Sequence, residues 1–201
     1  MDLTGCALLV IDVQRAFDDA AYWGKRNNPR CEENVARLVD SFRRASRTVV
    51  FVRHDSVQAD SPLRPGRPGN AFKDSLRGEP DLLVTKSVNS AFLGKPDLAV
   101  WLRARSIEAI VICGITTNHC CETTARMGGN LGFRVLFALD ATHTFDRAAL
   151  DGKNLTADEL ARVTAANLNG EFATIVSTEQ VCSPGAALQT GRIVDQDVPA
   201  G

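Results

Sequence analysis

The chain of 201 residues fits a single domain, 1–201, and its hydrophobic (44%) and charged (23%) fractions are ordinary for a soluble globular protein. Its net charge of −1 gives no reason to expect nucleic acid or an anionic membrane as a partner. The longest apolar runs are too short to span a bilayer, and no basic segment followed by a long apolar core begins the chain, so we expect a cytoplasmic protein without a secretory signal.

The first half of the chain alternates apolar runs with segments of helical spacing. The run 7–11 predicts a buried strand, residues 32–46 predict a helix with acidic residues in its first turn, and 48–52 predicts a second strand. A polar stretch with three prolines and three glycines occupies 60–79. A loop of that length in a compact domain is usually functional or disordered. A shorter strand is predicted at 82–84.

The second half of the chain continues this alternation. We predict strands at 109–113, 134–139 and 173–176, and helices at 96–105, near Cys120 and at 156–169. Thr156 and Glu159 form a capping-box pattern at the start of the last helix. The polar, Gly- and Ala-rich tail after Pro184 is expected to be frayed or docked on a partner chain.

Strands that alternate with helices predict an α/β fold, a three-layer α/β/α arrangement around a mainly parallel central sheet of about six strands. In such sheets ligands bind outside the carboxyl ends of the strands. Asp12, His54, Lys86, Cys120 and Asp140 all lie at or beyond a predicted strand end. These side chains can therefore converge on one edge of the sheet.

Cys120 is a candidate nucleophile because it follows a buried strand and a polar turn, where a helix start favours the thiolate. A nearby carboxylate such as Asp12 can take the thiol proton, and an ammonium such as Lys86 favours both anions. Histidine, the usual base, has weak candidates: His119 adjoins Cys120 and points elsewhere, and His143 follows Asp140 in a loop. Spacing alone also allows a small buried thiol, a capping carboxylate and a solvated lysine.

Three segments resemble motifs of isochorismatase-like cysteine hydrolases, a family that includes nicotinamidases and ureidoacrylate amidohydrolases. The segments are 8–17, Lys86 with 90–94, and 114–125, in which Cys121 stands where valine is commoner. They occur in the family's order, and the resemblance covers nearly the whole chain. It implies an amidohydrolase without a cofactor, assembled as a homodimer or homotetramer with its active site near a subunit boundary.

The same resemblance assigns roles to individual residues. It implies that Cys120 is the nucleophile, Asp12 the general base and Lys86 its electrostatic partner. It also implies a cis peptide bond between Ile115 and Thr116 and an oxyanion hole formed by the N–H groups of Thr116 and Cys120. The implied reaction is attack of the thiolate on a small amide or ureido carbonyl, release of the amine, and hydrolysis of the thioester.

The sequence gives weaker indications about the substrate. Nicotinamidases of this family hold a metal with an Asp-x-His pair, but Val52 occupies the first position here, so we expect no metal. Phe17, Trp23, Asn28 and His54 are the predicted substrate-binding residues, with a capping or packing role as the alternative for His54. A substrate carboxylate has four candidate partners, each with a solvated surface role as the alternative: Arg53, Arg64, Arg67 and Lys73.

Two further functions stay open. Isochorismatase-type vinyl ether hydrolysis uses the aspartate and the lysine without the thiol, and the presence of Cys120 argues against it. A binding or redox-sensing protein that uses the adjacent thiols of Cys120 and Cys121 without turnover is the third possibility. The six cysteines are scattered without C-x-x-C pairs, and free thiols in a reducing compartment are the simplest interpretation. Asp140 is interpreted as structural.

Overall fold

The apolar runs of the sequence form one parallel sheet in the computed structural model, which describes residues 2–183. The strands are β1 (Cys6–Ile11), β2 (Val49–His54), β3 (Leu82–Lys86), β4 (Ala109–Ile115), β5 (Arg134–His143), β6 (Arg147–Ala148), β7 (Asn154–Leu155) and β8 (Thr174–Val176). Six of them form the central sheet in the order β3-β2-β1-β4-β5-β8, with all neighbours parallel, whereas β6 and β7 form a separate antiparallel hairpin. The predicted six-stranded parallel sheet is therefore confirmed.

Helices cover both faces of the sheet. They are α1 (Ala20–Trp23), α2 (Cys31–Arg44), α3 (Leu98–Arg103), α4 (Glu122–Asn130), α5 (Ala157–Leu168) and α6 (Thr178–Cys182). Buried side chains of α2 and α6 pack on one face, and those of α3, α4 and α5 pack on the other. This arrangement is the predicted three-layer α/β/α fold. None of the helices within residues 2–183 has the length and apolar character needed to cross a membrane.

Strand β1 shows why the central strands are apolar on both faces. Leu9 and Ile11 belong to the core under α3, α4 and α5, whereas Leu8 and Val10 belong to the core under α2 and α6. Successive side chains of a strand point to opposite faces, so a strand covered on both sides needs a continuous apolar run. Burial of each such Leu, Ile or Val contributes about 1.5–3 kcal/mol to folding.

Local signals place the helix ends. The capping box at α5 is present: the Thr156 side chain accepts from the Glu159 N–H, and the Glu159 carboxylate accepts from the Thr156 N–H. Helix α3 is shorter than the predicted 96–105 at both ends, and its later start follows from Asp97, which caps it by accepting from the Val100 N–H. The cap fixes the first turn just after Asp97.

The segment 60–79 forms a packed loop. The Asn70 side chain donates to the carbonyls of Leu63 and His54, and the Lys73 N–H donates to the Val13 carbonyl. These long-range contacts order a segment whose composition carries no periodic signal. The prediction for the tail after Pro184 lies outside the described residues.

Close approach of β1 and β4 brings the carboxyl ends of the strands together. Gly114 lies opposite Ile11 with φ +123°, and a Cβ built there would stand 2.0 Å from the Ile11 carbonyl oxygen. Only glycine fits such a position. On the other side of β1, His54 lies in register with Lys86, so the ends of β1, β2, β3 and β4 meet at one edge.

Candidate active site

Four of the five polar residues expected at the carboxyl edge of the sheet lie together. One ligand-type atom from each of Asp12, His54 and Cys120 lies within 4.8 Å of the others. The Lys86 Nζ lies 2.5 Å from Asp12 Oδ2 within the same group. Asp140 lies apart, because its Oδ1 accepts from the N–H and the hydroxyl of Thr178 at the start of α6.

Asp12 has an unusual backbone and a spare acceptor. Its φ is +49°, a left-handed conformation that costs a non-glycine residue of order 1–3 kcal/mol. Its N–H donates to the Val52 carbonyl, and its carbonyl accepts from the Gln14 N–H, which together hold this turn. The carboxylate is fully buried, and Oδ1 has no hydrogen-bond partner among residues 2–183. One oxygen therefore binds lysine and the other is available.

Lys86 carries the positive charge of the site. Burial alone would lower the pKa of this ammonium, but the Asp12 carboxylate and Cys120 outweigh burial and raise the pKa above its ordinary value. Its Nζ donates to Asp12 Oδ2 and lies 3.1 Å from His54 Nδ1. The lysine is thus the donor that orients both neighbours.

His54 is neutral, with a defined tautomer. An ammonium only donates, so Nδ1 of His54 accepts from Lys86 and the ring proton resides on Nε2. Burial and the Lys86 charge lower the pKa of His54, which keeps the imidazole uncharged. The ring lines the cavity described below and offers it an N–H donor.

The Cys120 thiol is protonated at neutral pH. Burial, followed by the Asp12 charge, raises the pKa of Cys120 to about 12, although Lys86 opposes the shift. The residue lies in a π-helical turn, Thr117–Cys121, just before α4. The expectation that a helix start favours the thiolate is therefore not met, because the thiol is only 9% exposed. Sγ lies 3.8 Å from Asn89 Oδ1, which accepts the weak S–H hydrogen bond.

Thr116 connects the end of β4 to this turn. The peptide bond between Ile115 and Thr116 is cis, and the Thr116 carbonyl accepts from the N–H groups of His119 and Cys121. The Thr116 N–H has no hydrogen-bond acceptor among residues 2–183, and the residue lines the cavity next to Cys120. An unused backbone donor thus lies beside the thiol.

A cavity of about 300 Å³ opens onto these residues. Three aromatic residues line it: Phe17, Tyr22 and Trp23. Uncharged polar residues line it as well: Ser56, Gln58, Ser61, Ser87 and Asn89. The Phe17 and Trp23 rings are 4.8 Å apart, and Trp23 Nε1 donates to the Ala16 carbonyl. Three of the four predicted substrate-binding residues, Phe17, Trp23 and His54, line this cavity.

Asn28, the fourth, does not line it. Its Nδ2 donates to the carbonyls of Asp140 and Thr142 at 2.9 and 2.5 Å, and so it fixes the irregular end of β5. Asn28 also has φ +45°, a conformation that asparagine tolerates better than most residues. A substrate-binding role for Asn28 has no support in this geometry.

The four candidate cations for a substrate carboxylate are engaged elsewhere. Arg53 pairs with Asp55, and Lys73 pairs with Asp18 and Glu32. Arg64 and Arg67 donate to backbone carbonyls of the 57–59 segment. Within residues 2–183, no arginine or lysine lines the cavity next to Cys120.

Three buried or rim residues of the site carried no pattern in the sequence. The Gln14 side chain accepts from the His54 N–H and donates to the His54 and Asn70 carbonyls, which extends the strand pairing beyond β1. Asn70, from the 60–79 loop, also donates to the His54 carbonyl. Asn89 reaches the thiol from the segment after β3. Only the position of Gln14 two residues after Asp12 could have suggested its role.

The cluster of Asp12, His54 and Cys120 has the ligand types of a transition-metal site. However, the Lys86 ammonium already contacts Asp12 Oδ2 and His54 Nδ1. A second positive charge beside a buried ammonium would be strongly repelled. The residues present therefore fit the ammonium group of Lys86 and not a metal ion.

Comparison with known proteins agrees with this fold. The isochorismatase domain model matches residues 6–180. The isochorismatase family protein YrdC of Bacillus subtilis is 38% identical over 176 residues, 87% of this chain and 93% of that protein. Nicotinamidase 3 of Arabidopsis thaliana is 34% identical over 189 residues, 87% and 86% of the two chains.

A solved structure shows the same similarity. The crystal structure of an isochorismatase-family hydrolase from Chromobacterium violaceum superimposes with a TM-score of 0.83 at 38% identity, covering 88% of this chain and 91% of that one. The shared architecture extends over nearly all residues from β1 to α6. The chain belongs to the isochorismatase family of hydrolases.

Proposed function

We propose that this protein is a cysteine-dependent amidohydrolase that cleaves the C–N bond of a small amide, carbamoyl or ureido compound through a thioester on Cys120. The observation that carries the proposal is the free oxygen of Asp12. A buried carboxylate with one oxygen on Lys86 and the other unpartnered, clustered with a protonated thiol, is suited to accept the thiol proton.

In the first step, Asp12 takes the proton from Cys120 as Sγ attacks the carbonyl carbon. Because burial raises the pKa of the Cys120 thiol to about 12, little thiolate exists at neutral pH without this base. The negative charge that develops on the carbonyl oxygen is stabilised by the Thr116 and Cys120 N–H groups, and one such donor is worth about 3–4 kcal/mol of the barrier. Lys86 stays charged throughout and balances the anion.

In the second step, protonated Asp12 gives its proton to the leaving nitrogen and the C–N bond breaks. Water, deprotonated by Asp12, then attacks the thioester carbonyl, and the proton returns to the Cys120 sulfur as the acid product leaves. The small cavity, with its aromatic residues and the His54 Nε2–H, favours a compact uncharged amide group at the reacting centre.

Cys120→Ala tests the proposal, with Cys121→Val as the matched control. A panel of small primary amides and ureido compounds is assayed for ammonia release, and isochorismate is assayed for pyruvate release. We expect Cys120→Ala to lose about 10⁴-fold or more in kcat, because loss of a nucleophile has effects of this size. Cys121→Val should keep the activity, since this neighbour is fully buried away from the cavity.

Mass spectrometry of the wild-type enzyme should find the acyl group on Cys120 and on no other thiol. Pyruvate release that persists in Cys120→Ala, without amide hydrolysis in the wild type, would instead establish vinyl ether chemistry. Reversible oxidation at Cys120 and Cys121 with no turnover of any substrate would establish a thiol sensor. Either outcome contradicts the proposal.

We further propose that the enzyme acts in the cytoplasm as a homodimer or homotetramer. All six cysteines are free thiols in the structure, which suits a reducing compartment. Light scattering coupled to size-exclusion chromatography measures the assembly directly, and a monomer of 21.7 kDa at micromolar concentration would contradict it.

A further inference from the structure

A second cavity adjoins the one at Cys120. It has a volume of about 500 Å³ and shares four lining residues with the first: Tyr22, Trp23, Thr116 and His119. Phe145 and Arg147 line the second cavity and not the first. Thr116 and His119 line both cavities, so their polar groups are open to whatever binds at Cys120.

The Arg147 guanidinium has one hydrogen-bond contact among residues 2–183, with the His119 ring. Its Nη1 lies 2.9 Å from His119 Nε2. Among residues 2–183, no carboxylate lies within ion-pair distance of Arg147. A guanidinium has five N–H donors and no acceptor, so His119 Nε2 must accept. Burial and the Arg147 charge lower the pKa of His119 against the opposing effect of Glu122, which agrees with a neutral ring.

The acceptor role of His119 Nε2 fixes the role of Nδ1, the nitrogen that contacts Thr116. A neutral imidazole that accepts at Nε2 carries its proton on Nδ1. His119 Nδ1 lies 3.3 Å from Thr116 Oγ1, so the N–H donates and the hydroxyl oxygen accepts. The hydroxyl hydrogen then has to point elsewhere, and Thr116 Oγ1 has no other partner among the described residues.

We propose that the Thr116 hydroxyl donates a hydrogen bond to the bound substrate, and that Arg147 and His119 are positioning residues that set its direction. The inference rests on the proposed function and adds a requirement to it. The preferred substrate carries a hydrogen-bond acceptor, such as an ether, hydroxyl or carbonyl oxygen, close to the scissile carbonyl. This donor is separate from the backbone N–H groups that hold the oxyanion.

The chain of hydrogen bonds from Arg147 through His119 to Thr116 is a relay, and the tautomers of the histidines test it without any turnover. The chain has only three histidines, so ¹⁵N labelling of histidine gives three resolved rings. We expect the proton of His119 on Nδ1 and that of His54 on Nε2, because their cationic neighbours contact opposite nitrogens. Arg147→Met should shift His119 toward the Nε2–H form, whereas Arg105→Met, which removes a contact with Trp101, should not.

A pair of substrates that differ in one atom tests the donor. Methoxyacetamide has an ether oxygen where butyramide has a methylene group. The kcat/KM value for methoxyacetamide divided by that for butyramide should fall about 3- to 10-fold in Thr116→Val, which is the effect of one hydrogen bond. Arg147→Met should lower the ratio in the same direction, while His119→Asn, whose amide N–H can replace the ring donor, should retain it.

The outcomes separate the two proposals. A wild-type His119 with its proton on Nε2, or a substrate ratio unchanged in Thr116→Val, would overturn the relay even if amide hydrolysis is established. Absence of hydrolysis across the whole panel of amides and ureido compounds, together with the expected tautomers, would contradict the proposed function and leave the hydrogen-bond direction supported.

Discussion

Two buried lysines of this fold bind carboxylates in different ways. Lys86 binds Asp12, and Lys73 binds Glu32. Both oxygens of Glu32 are occupied, because Arg26 donates to each of them in addition to the lysine. Asp12 keeps Oδ1 without a partner among residues 2–183. The comparison indicates that a carboxylate with both oxygens hydrogen-bonded stabilises the fold. A carboxylate with one unpartnered oxygen next to a thiol can exchange a proton.

The two lysines also differ in the segments that they connect. Lys73 connects the 60–79 loop to Asp18 and to Glu32 at the start of α2, and none of these three residues lines the cavity at Cys120. Lys86 contacts Asp12 and His54, both of which line the cavity at Cys120. Variants of the two lysines and of their carboxylate partners test this contrast.

Asp12→Asn should have the largest effect. The amide preserves the shape and a carbonyl oxygen for Lys86 but cannot take a proton, so kcat should fall about 10²- to 10⁴-fold, the usual contribution of a general base. Ammonia release per folded molecule is the measurement. Glu32→Gln is the matched control, and it should keep kcat within about threefold because its oxygens take no part in the reaction. Equal losses in the two variants would remove the distinction.

Lys86→Met should destabilise the protein by about 3–5 kcal/mol, because it leaves the Asp12 carboxylate buried without a counter-charge. Urea unfolding measures the loss. Lys73→Met should cost less, about 1–3 kcal/mol, because Arg26 continues to neutralise Glu32. If the Lys73 variant proves the less stable of the two, Lys86 is not compensating a buried charge.

Glu32 should make stability depend on pH. Burial would raise its pKa, but Arg26 and Lys73 prevail and lower the pKa from 4.5 to about 2. A carboxylate with a depressed folded-state pKa stabilises the fold above its unfolded pKa, and that contribution is lost as the pH falls from 4.5 toward 2. At neutral pH it amounts to about 3 kcal/mol.

The difference between the free energies of unfolding of wild type and Glu32→Gln, measured with urea, should therefore be constant from pH 6 to 8. It should narrow between pH 4.5 and 2. A difference that does not change over the acid range would show that the three charges do not act as one network.

Much of the fold followed from local pattern. The six sheet strands were predictable because each contains a short apolar run, and the start of α5 was predictable because Thr156 and Glu159 are only three residues apart. The hairpin of β6 and β7 was not, because two-residue strands with exposed side chains carry no periodicity. The order within 60–79 was likewise hidden, since it depends on contacts of Asn70 and Lys73 with distant segments.

The site divides in the same way. The general rule for parallel sheets placed Asp12, His54, Lys86 and Cys120 at one edge, where the structure has them. The same reasoning could not separate Asn28, which binds carbonyls of β5, from Phe17 and Trp23, which line the cavity. It also suggested a thiolate at Cys120, because a favourable helix start is local whereas burial is not.

The amino-acid sequence by itself determined the order of strands and helices and the residue types at the strand ends. Only the tertiary structure decided their protonation and direction: which oxygen of Asp12 is free, which nitrogen of His54 carries hydrogen, and that the Cys120 thiol is neutral. The physical reason is that these properties depend on donors and charges brought together from separate strands, and Lys86 meets Asp12 across 74 residues of chain.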